Sequence, residues 1–316
     1  MTGDSPLRSV VCGLVFQNPI ILAAGTAGYG EELSGVMHLE RLGGFVTKAV
    51  SLEPRSGAPA PRVAEFTGGM INAVGLANPG LEAVRHDHLP WMATHFPATR
   101  KLVNVVGFTA DEYPSVIAGL EAALAGAQSA AVDGYELNVR CPNTRAGGME
   151  FGADPASLRA VVEKARRETS RPIFVKLSPT LENIGEAARV AADAGADGIS
   201  VVNTLPGLVI DIERRQPILG FGTGGVSGTA ILPVDVLATW KVRRAVPLPI
   251  LGLGGVSTAA DALQYIIAGA SLVGVGTAAM RDPRAPERIV SELAAWCDRR
   301  GVSQIQQLTG TLEWPN

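Results

Sequence analysis

Paired cysteines, long apolar runs and clustered charge are all missing from this chain of 316 residues. Its three cysteines, Cys12, Cys141 and Cys297, lie far apart without a Cys-x-x-Cys pair, which argues against a disulfide framework, a zinc site or an iron–sulfur cluster within the chain. The 27 basic and 30 acidic residues are dispersed and leave a formal net charge of −3, so no strong field is expected to attract nucleic acid or anionic lipid. No stretch approaches the roughly 20 apolar residues of a membrane span, and the N-terminus lacks a secretion pattern. We expect a soluble cytoplasmic protein that binds neither nucleic acid nor membranes.

Charged residues are also few, at 18% of the chain, whereas hydrophobic residues make up 47%. The chain has 37 glycines. This composition favours a large core with many tight turns and excludes a disordered chain. A (β/α)₈ barrel runs to about 250 residues and often carries insertions, so one domain covering residues 1–316 is plausible. Four histidines lack metal-ligand spacing apart from His86-x-His88, which is more typical of a surface, and no metal site is predicted.

Eight short runs rich in Val, Ile, Leu and Ala recur along the chain, as expected for strands buried on both faces. They cover residues 19–25, 45–50, 102–107, 134–139, 173–178, 198–203, 249–255 and 272–277. Segments of helical period lie between them, such as the one carrying Tyr113, Val116, Ile117 and Leu120. Alternation of this kind predicts an α/β fold, and the count of eight favours a (β/α)₈ TIM barrel over the runner-up, an open doubly wound sheet.

Local residues support these boundaries. Asp154-Pro155 and Ser257-Thr258 each place a capping residue before a helical stretch, and Gly195 and Gly269 are expected to end helices. Two segments rich in Gly and Pro, 51–80 and 204–232, are too long for simple connections and predict insertions over the C-terminal mouth of the barrel.

Every predicted strand ends in small or polar residues. In a barrel these ends converge on the C-terminal mouth, where barrel active sites lie. The groups are Ala24-Gly25-Thr26, Lys48, Asn104, Asn138 with Cys141 and Asn143, Lys176, Asn203-Thr204, Gly254-Gly255 and Gly276-Thr277. Cationic Lys48 and Lys176 favour an anion or electron-rich ring as ligand, and the glycines after the seventh and eighth strands favour phosphate. Cys141, a thiol between two carboxamides where a strand gives way to loop, suits removal of a proton from a planar polar ring.

Several motifs together resemble the dihydroorotate dehydrogenase family over nearly the whole barrel, from about Asn18 to Pro283, and most closely its cysteine-base, NAD-linked group, class 1B. They are Lys48-Ala49 before Glu53-Pro54-Arg55, the run 72–80, the run 138–143, Val175-Lys176-Leu177-Ser178-Pro179, Asn203-Thr204, the run 223–228 and the run 252–256. The resemblance implies FMN-dependent oxidation of (S)-dihydroorotate to orotate in de novo pyrimidine synthesis, with Cys141 as the base.

The same resemblance implies two sets of binding residues. Substrate would contact Lys48, Asn72, Ala73, Val74, Gly75, Leu76, Asn138, Asn143, Asn203 and Thr204. FMN would contact Ala24, Gly25, Lys48, Ala49, Asn104, Asn138, Lys176, Val202, Gly228, Gly254, Gly255, Gly276 and Thr277. Carboxamides suit the first set, because each offers a donor and an acceptor to the alternating edge of a pyrimidine.

Membership of the NAD-linked group further implies a partner subunit with FAD and a [2Fe-2S] cluster, which would complete a heterotetramer around a homodimer of barrels. A fumarate-reducing homodimer is the nearest alternative. Arg140 stands where the family usually has serine, which leaves open a flavin barrel acting on another dihydropyrimidine. A non-flavin barrel that binds a phosphorylated substrate also remains possible.

Overall fold

Eight parallel strands close into a barrel in the computed structural model, which describes residues 5–124, 126–139 and 151–315. The strands are β1 (Ile20–Leu22), β2 (Gly44–Val46), β3 (Arg100–Val105), β4 (Gly134–Asn138), β5 (Ile173–Leu177), β6 (Gly198–Val201), β7 (Ile250–Leu253) and β8 (Leu272–Val275). Each strand pairs with its neighbours in chain order, and β8 pairs with β1. The predicted (β/α)₈ TIM barrel is confirmed, and the open sheet is wrong.

Side chains at alternating positions of the strands fill the interior at the N-terminal end of the barrel, among them Ile21, Val46 and Phe174. Val11 and Phe16 pack against this layer from an antiparallel hairpin of Ser9–Val11 and Leu14–Phe16. Because these side chains occupy the N-terminal end of the barrel, a ligand must enter from the opposite end.

Helices surround the barrel and begin and end where local residues predicted. The Asp154 side chain accepts a hydrogen bond from the Ser157 N–H at 2.8 Å, and Thr258 forms a capping box with Asp261. Gly269, at φ +126°, ends its helix. The helices are α1 (Gly80–Ala83), α2 (Leu89–His95), α3 (Glu112–Ala123), α4 (Pro155–Arg167), α5 (Ile184–Asp193), α6 (Leu232–Ala245), α7 (Ala259–Ala268), α8 (Thr277–Arg281) and α9 (Ala285–Arg300). None within the described ranges is long and apolar enough to cross a membrane.

The two predicted insertions meet in one four-stranded antiparallel sheet, called the cap sheet below. Its strands lie in the order Leu205–Gly207, Gly224–Ser227, Gly69–Asn72 and Val63–Phe66. A small core of its own contains Ile71, Ala73 and Leu219. Segments about 150 positions apart in sequence therefore build one wall above the barrel mouth.

Candidate active site

A cavity of about 770 Å³ lies between the C-terminal ends of the barrel strands and the cap sheet. Its volume is within the range of small-molecule sites. Most of the predicted site residues line it, namely Ala24, Gly25, Lys48, Ala49, Asn72, Val74, Gly75, Leu76, Asn104, Asn138, Lys176, Val202, Asn203, Thr204, Gly228, Gly254, Gly255, Gly276 and Thr277. The fold thus brings together residues that are spread over about 250 positions of the chain.

Three predicted site residues are not placed in this cavity. Cys141 and Asn143, like Arg140, lie outside the described residues. Ala73 is fully buried, and its side chain packs in the core of the cap sheet instead of lining the cavity. Its neighbour Asn72 faces the cavity, whereas Ala73 faces the interior of the sheet because successive residues of an extended chain point to opposite sides, and a contact of Ala73 with a ligand stays a prediction.

A buried polar network forms the floor of the cavity. Glu136 Oε1 accepts a hydrogen bond from Asn104 Nδ2 at 2.7 Å and lies 3.5 Å from Lys176 Nζ. Glu136 is fully buried, and Lys176 is 6% exposed. A cation in such a place requires a counter-charge, and Glu136 supplies it. The second carboxylate oxygen, Glu136 Oε2, has no hydrogen-bond partner among the described residues.

Glu136 was missed by the sequence analysis, which treated 134–139 as an apolar strand. Its position nevertheless carries a usable indication. Glu136 precedes Asn138 by two residues on β4, and residues i and i+2 of a strand point to the same side. A carboxylate on the same side as a predicted site residue, within a buried strand, indicates a partner for a nearby cation.

Carboxamides at the mouth are held by one another and by the backbone. Asn203 Nδ2 donates to Asn138 Oδ1 at 3.2 Å, and Asn203 Oδ1 accepts from the Thr204 N–H at 2.8 Å. The Tyr113 hydroxyl donates to the Asn138 carbonyl at 2.9 Å, which anchors the end of β4. These contacts limit the orientations of both amides, so the site is largely preformed.

The wall opposite the carboxamides comes from the cap sheet and the turn that follows it. Asn72 Nδ2 donates to the Gly225 carbonyl at 3.3 Å across two cap strands. Gly75 and Leu76 both have positive φ, +70° and +58°, and Leu76 packs against Ala49 and Val106. A non-glycine residue in the left-handed region indicates a local conformation fixed by its surroundings, as is common at ligand sites.

At the far end of the cavity, two glycines allow the backbone to lie against helix α6. Gly254 has φ +131°, and a β-carbon there would lie 1.8 Å from Asp235 Oδ2. At Gly255, with φ +72°, a β-carbon would lie 2.8 Å from the Leu232 backbone nitrogen. A β-carbon at Gly255 would require α6 to shift, and one at Gly254 would require the Asp235 side chain to move. The exposed backbone is suited to a ligand that approaches closely, such as a phosphate group.

Across this end, Thr277 Oγ1 donates to Ser227 Oγ at 2.8 Å, joining the barrel to the cap sheet. Gly228 follows at φ +100°, and a β-carbon there would lie 2.7 Å from the Gly69 α-carbon. Ser227 lines the cavity but was not predicted as a site residue. Its small side chain in a Gly-rich run gave no indication beyond that of a turn.

Comparison with known proteins identifies the family. The model of the family "Dihydroorotate dehydrogenase" matches residues 6–296. The chain is 44% identical over 304 residues to the "Dihydroorotate dehydrogenase B (NAD(+)), catalytic subunit" of Pelobacter propionicus, covering 96% of this chain and 97% of the relative. The protein of the same description from Trichlorobacter lovleyi is 44% identical over 310 residues, with 98% and 99% covered.

A third relative carries a different description. The "Putative dihydroorotate dehydrogenase A (fumarate)" of Solibacter usitatus is 44% identical over 308 residues, with 98% of this chain and 99% of the relative covered. All three matches extend over the barrel, the cap sheet and the cavity between them. The chain belongs to the dihydroorotate dehydrogenase family.

Proposed function

We propose that this chain is the catalytic subunit of a cytoplasmic, NAD-linked dihydroorotate dehydrogenase that oxidises (S)-dihydroorotate to orotate in pyrimidine biosynthesis, with FMN as its bound cofactor. The observation that carries the proposal is the convergence, in one cavity of a family member, of the buried Lys176, the carboxamides of the mouth and the glycine pair 254–255. Each group matches a different part of the two ligands.

Two features of the cavity support FMN as its ligand. At one end, backbone exposed by Gly254, Gly255 and Gly276 provides a cradle for a phosphate, which a β-carbon at Gly254 or Gly255 would disrupt. At the other end, Lys176 faces the cavity from a floor that Glu136 neutralises. We propose that Lys176 lies against the N1–C2=O edge of the ring and holds negative charge there, while Ala24, Gly25, Ala49, Asn104, Val202, Gly228 and Thr277 complete the site. When bound here, FMN would supply the acceptor for the hydride that leaves C6 of dihydroorotate.

For the substrate, we propose that Asn72, Asn138, Asn143 and Asn203 bind the amide edges of the ring, together with Val74, Gly75, Leu76 and Thr204. Lys48 lines the same cavity and would attract the carboxylate of dihydroorotate. Amides discriminate by hydrogen-bond pattern without adding negative charge that would repel the anionic substrate.

Cys141 is the proposed base, and its thiolate would take the proton from C5 of dihydroorotate. It follows β4 by three residues, and β4 ends at Asn138, whose backbone is fixed by Tyr113. An ordinary thiol has a pKa of about 8.5, so only a small fraction is ionised at neutral pH. The proposal therefore implies that the rate rises with pH until the thiol is fully ionised.

Electrons then have to leave the chain. Two of the relatives described above are named as NAD-linked catalytic subunits. We propose a partner subunit with FAD and a [2Fe-2S] cluster, and a heterotetramer built on a homodimer of this chain, because three dispersed cysteines cannot hold such a cluster here. The relative named for fumarate makes direct fumarate reduction the alternative outcome.

The test is anaerobic mixing of FMN-loaded protein with dihydroorotate, followed by flavin absorbance. Dihydroorotate should bleach the flavin rapidly, and dihydrouracil, which lacks the carboxylate, should be slow. Faster bleaching by dihydrouracil would reassign the substrate. Protein that binds no FMN at neutral pH would eliminate the proposal. NAD and fumarate are then added separately, with and without co-purified subunits, to identify the acceptor.

A further inference from the structure

Asp235 is a buried carboxyl group that the proposed mechanism does not use. It lies in the first turn of α6, is fully buried and lines the far end of the cavity. Neither of its carboxyl oxygens has a hydrogen-bond partner in the described part of the chain. Buried carboxyl groups are nearly always paired, so an unpaired one in a ligand cavity needs an explanation.

The position of Asp235 relates it to one part of the cavity. Its Oδ2 approaches Gly254 so closely that a β-carbon there would be only 1.8 Å away. The Gly254 carbonyl is already bound by the Tyr265 hydroxyl, which donates at 2.7 Å. The first turn of α6 therefore lies directly beneath the glycine pair proposed to hold the FMN phosphate, with the Asp235 carboxyl turned towards it.

The surroundings of Asp235 disfavour a negative charge. Burial raises the pKa of Asp235 to about 8. The start of a helix favours an anion, but this effect is smaller than that of complete burial. The carboxyl is therefore mostly protonated at neutral pH, and a protonated carboxyl can donate a hydrogen bond.

Within the described ranges, the elements that pack most closely against α6 place no cation beside Asp235. β6, β7 and the turn 229–231 contain no titratable side chain. From α7, Tyr265 faces Asp235, and its pKa is raised by burial and then by Asp235 and Asp261. The charged side chains of α5 lie at the surface, where Arg189 pairs with Glu186 and Asp193 pairs with Arg159.

We propose that Asp235 is a protonated donor beneath the phosphate subsite, and that its ionisation weakens binding of FMN while leaving binding of riboflavin unchanged. This inference rests on the proposed use of FMN. A phosphate dianion at Gly254 and Gly255 is compatible with a neutral acid below it, whereas a carboxylate in a medium of low dielectric constant would repel it.

The sign of the pH dependence follows from linkage. Bound phosphate raises the pKa of Asp235 further, so FMN binds best to the protonated form. Affinity is constant well below pH 8, where Asp235 is protonated in the free protein; it is already reduced at about pH 8, where half of the carboxyl is ionised, and falls further as pH rises. The phosphate group has its second pKa near 6, so its own charge does not change between pH 7 and pH 9.

The first experiment uses the wild-type protein alone. The dissociation constants of FMN and riboflavin are measured by quenching of flavin fluorescence at pH 7, 8 and 9. We expect the FMN constant to rise about fivefold or more from pH 7 to pH 9, and the riboflavin constant to change by less than about twofold. Riboflavin carries the same ring and ribityl chain without phosphate, so it removes effects of pH on the ring site, on Cys141 and on overall stability.

The second experiment changes the carboxyl group. Asp235→Asn keeps the size and a donor but cannot ionise, so FMN affinity should become independent of pH over the same range. Asp261→Asn is the matched control, because Asp261 also acts on Tyr265 but caps α7 instead of facing the cavity. That variant should be less stable yet keep the full pH dependence.

The outcomes separate the two proposals. Binding of FMN at all three pH values with no change in its constant overturns the role of Asp235 and leaves the proposed function intact. Equal weakening of FMN and riboflavin also overturns it, since the effect would then not involve phosphate. If FMN affinity still depends on pH in a folded Asp235→Asn variant, the role of Asp235 is likewise overturned. Absence of flavin binding even at pH 7 overturns the proposed function and this inference with it.

Discussion

Two buried lysines, one at each end of the barrel, have opposite roles. Lys101, the second residue of β3, is fully buried, and its Nζ donates to the carbonyls of Phe96 and Thr99 at the N-terminal end. Lys176, the fourth residue of β5, faces the cavity and lies beside Glu136 at the C-terminal end. Lys101 satisfies backbone carbonyls where α2 ends, whereas Lys176 is paired with a carboxylate that leaves its outer side available to a ligand. The position along a strand therefore decides whether a buried cation meets backbone carbonyls, as Lys101 does, or faces the cavity of the proposed site, as Lys176 does.

The largest expected effect is on the rate of flavin reduction, from a substitution of the proposed base. Cys141→Ser should slow flavin reduction by dihydroorotate at least about 100-fold, because removal of a general base loses a factor of that order, while FMN stays bound. Stopped-flow absorbance under anaerobic conditions measures it. Cys12→Ser is the matched control at the other end of the barrel, where the Cys12 thiol donates to the Asp197 carbonyl, and it should leave reduction unchanged. An equal effect of both substitutions would refute the role of Cys141.

A second prediction exchanges the same residue type at both ends. Lys176→Met should weaken FMN binding about tenfold or more, as expected for loss of a charge-assisted hydrogen bond. Lys101→Met should change thermal stability but alter FMN affinity by less than about twofold. Titration of apoprotein with FMN measures both variants. If Lys101→Met weakened FMN as much as Lys176→Met, the contrast between the two ends would be lost.

Lys176→Met also leaves Glu136 buried without a cation, which should reduce the free energy of unfolding by about 3–5 kcal/mol. The double variant Lys176→Met/Glu136→Gln should recover much of that stability without recovering FMN affinity. Denaturant unfolding of the single and double variants checks the first part, and FMN titration checks the second. Recovery of both properties together would mean that Lys176 acts on stability alone.

A smaller effect is expected from Glu136→Gln on the potential of bound flavin. Removing the negative charge of Glu136 leaves the positive charge of Lys176 less compensated, which stabilises the reduced anionic flavin and raises its midpoint potential by roughly 10–40 mV. Lys176→Met should shift the potential in the opposite direction. Potentiometric titration with flavin absorbance gives both values, and shifts of the same sign would contradict the proposed pairing.

The smallest effect is a pH dependence at the base of the barrel. Burial lowers the pKa of Lys101 from 10.5 to about 8, so between these values the unfolded chain binds more protons than the folded chain. Stability due to Lys101 therefore increases as pH rises, by about 1 kcal/mol from pH 8 to pH 9. Asp235 acts in the opposite direction, since burial raises its pKa from 3.8 to about 8. Stability due to Asp235 therefore decreases as pH rises, mainly below about pH 8.

Urea unfolding at pH 8 and pH 9 measures this increase, and Lys101→Met should abolish it. The stability of the wild type is therefore compared with that of Lys101→Met at each pH, because the buried thiol of Cys12 and the carboxyl of Asp235, whose pKa values are raised to about 12 and about 8, oppose the increase equally in both proteins. A difference between the two proteins that stays the same from pH 8 to pH 9 would show that Lys101 is not perturbed as described.

Sequence patterns were sufficient for the barrel because continuous apolar strands alternate with helices of clear period, and because the cap of α4 at Asp154 is local chemistry. They were also sufficient to place Lys176, Asn104 and Asn138 at the mouth of the barrel, since all three follow from one rule about the C-terminal ends of parallel strands. Ala73 was expected from the family motif instead of from this rule. It belongs to a motif that lines the cavity, yet the alternation of an extended chain turns it towards the core of the cap sheet.

Sequence by itself determined the closed architecture, the existence of two long insertions and the set of polar strand ends, because each depends on residues close together in the chain. Only the tertiary structure decided that the insertions form one sheet, that Glu136 is the counter-charge of Lys176, and that Asp235 lies unpaired beneath Gly254. These relations join residues tens to hundreds of positions apart. Their energies depend on burial and on interatomic distance, which local sequence patterns do not contain.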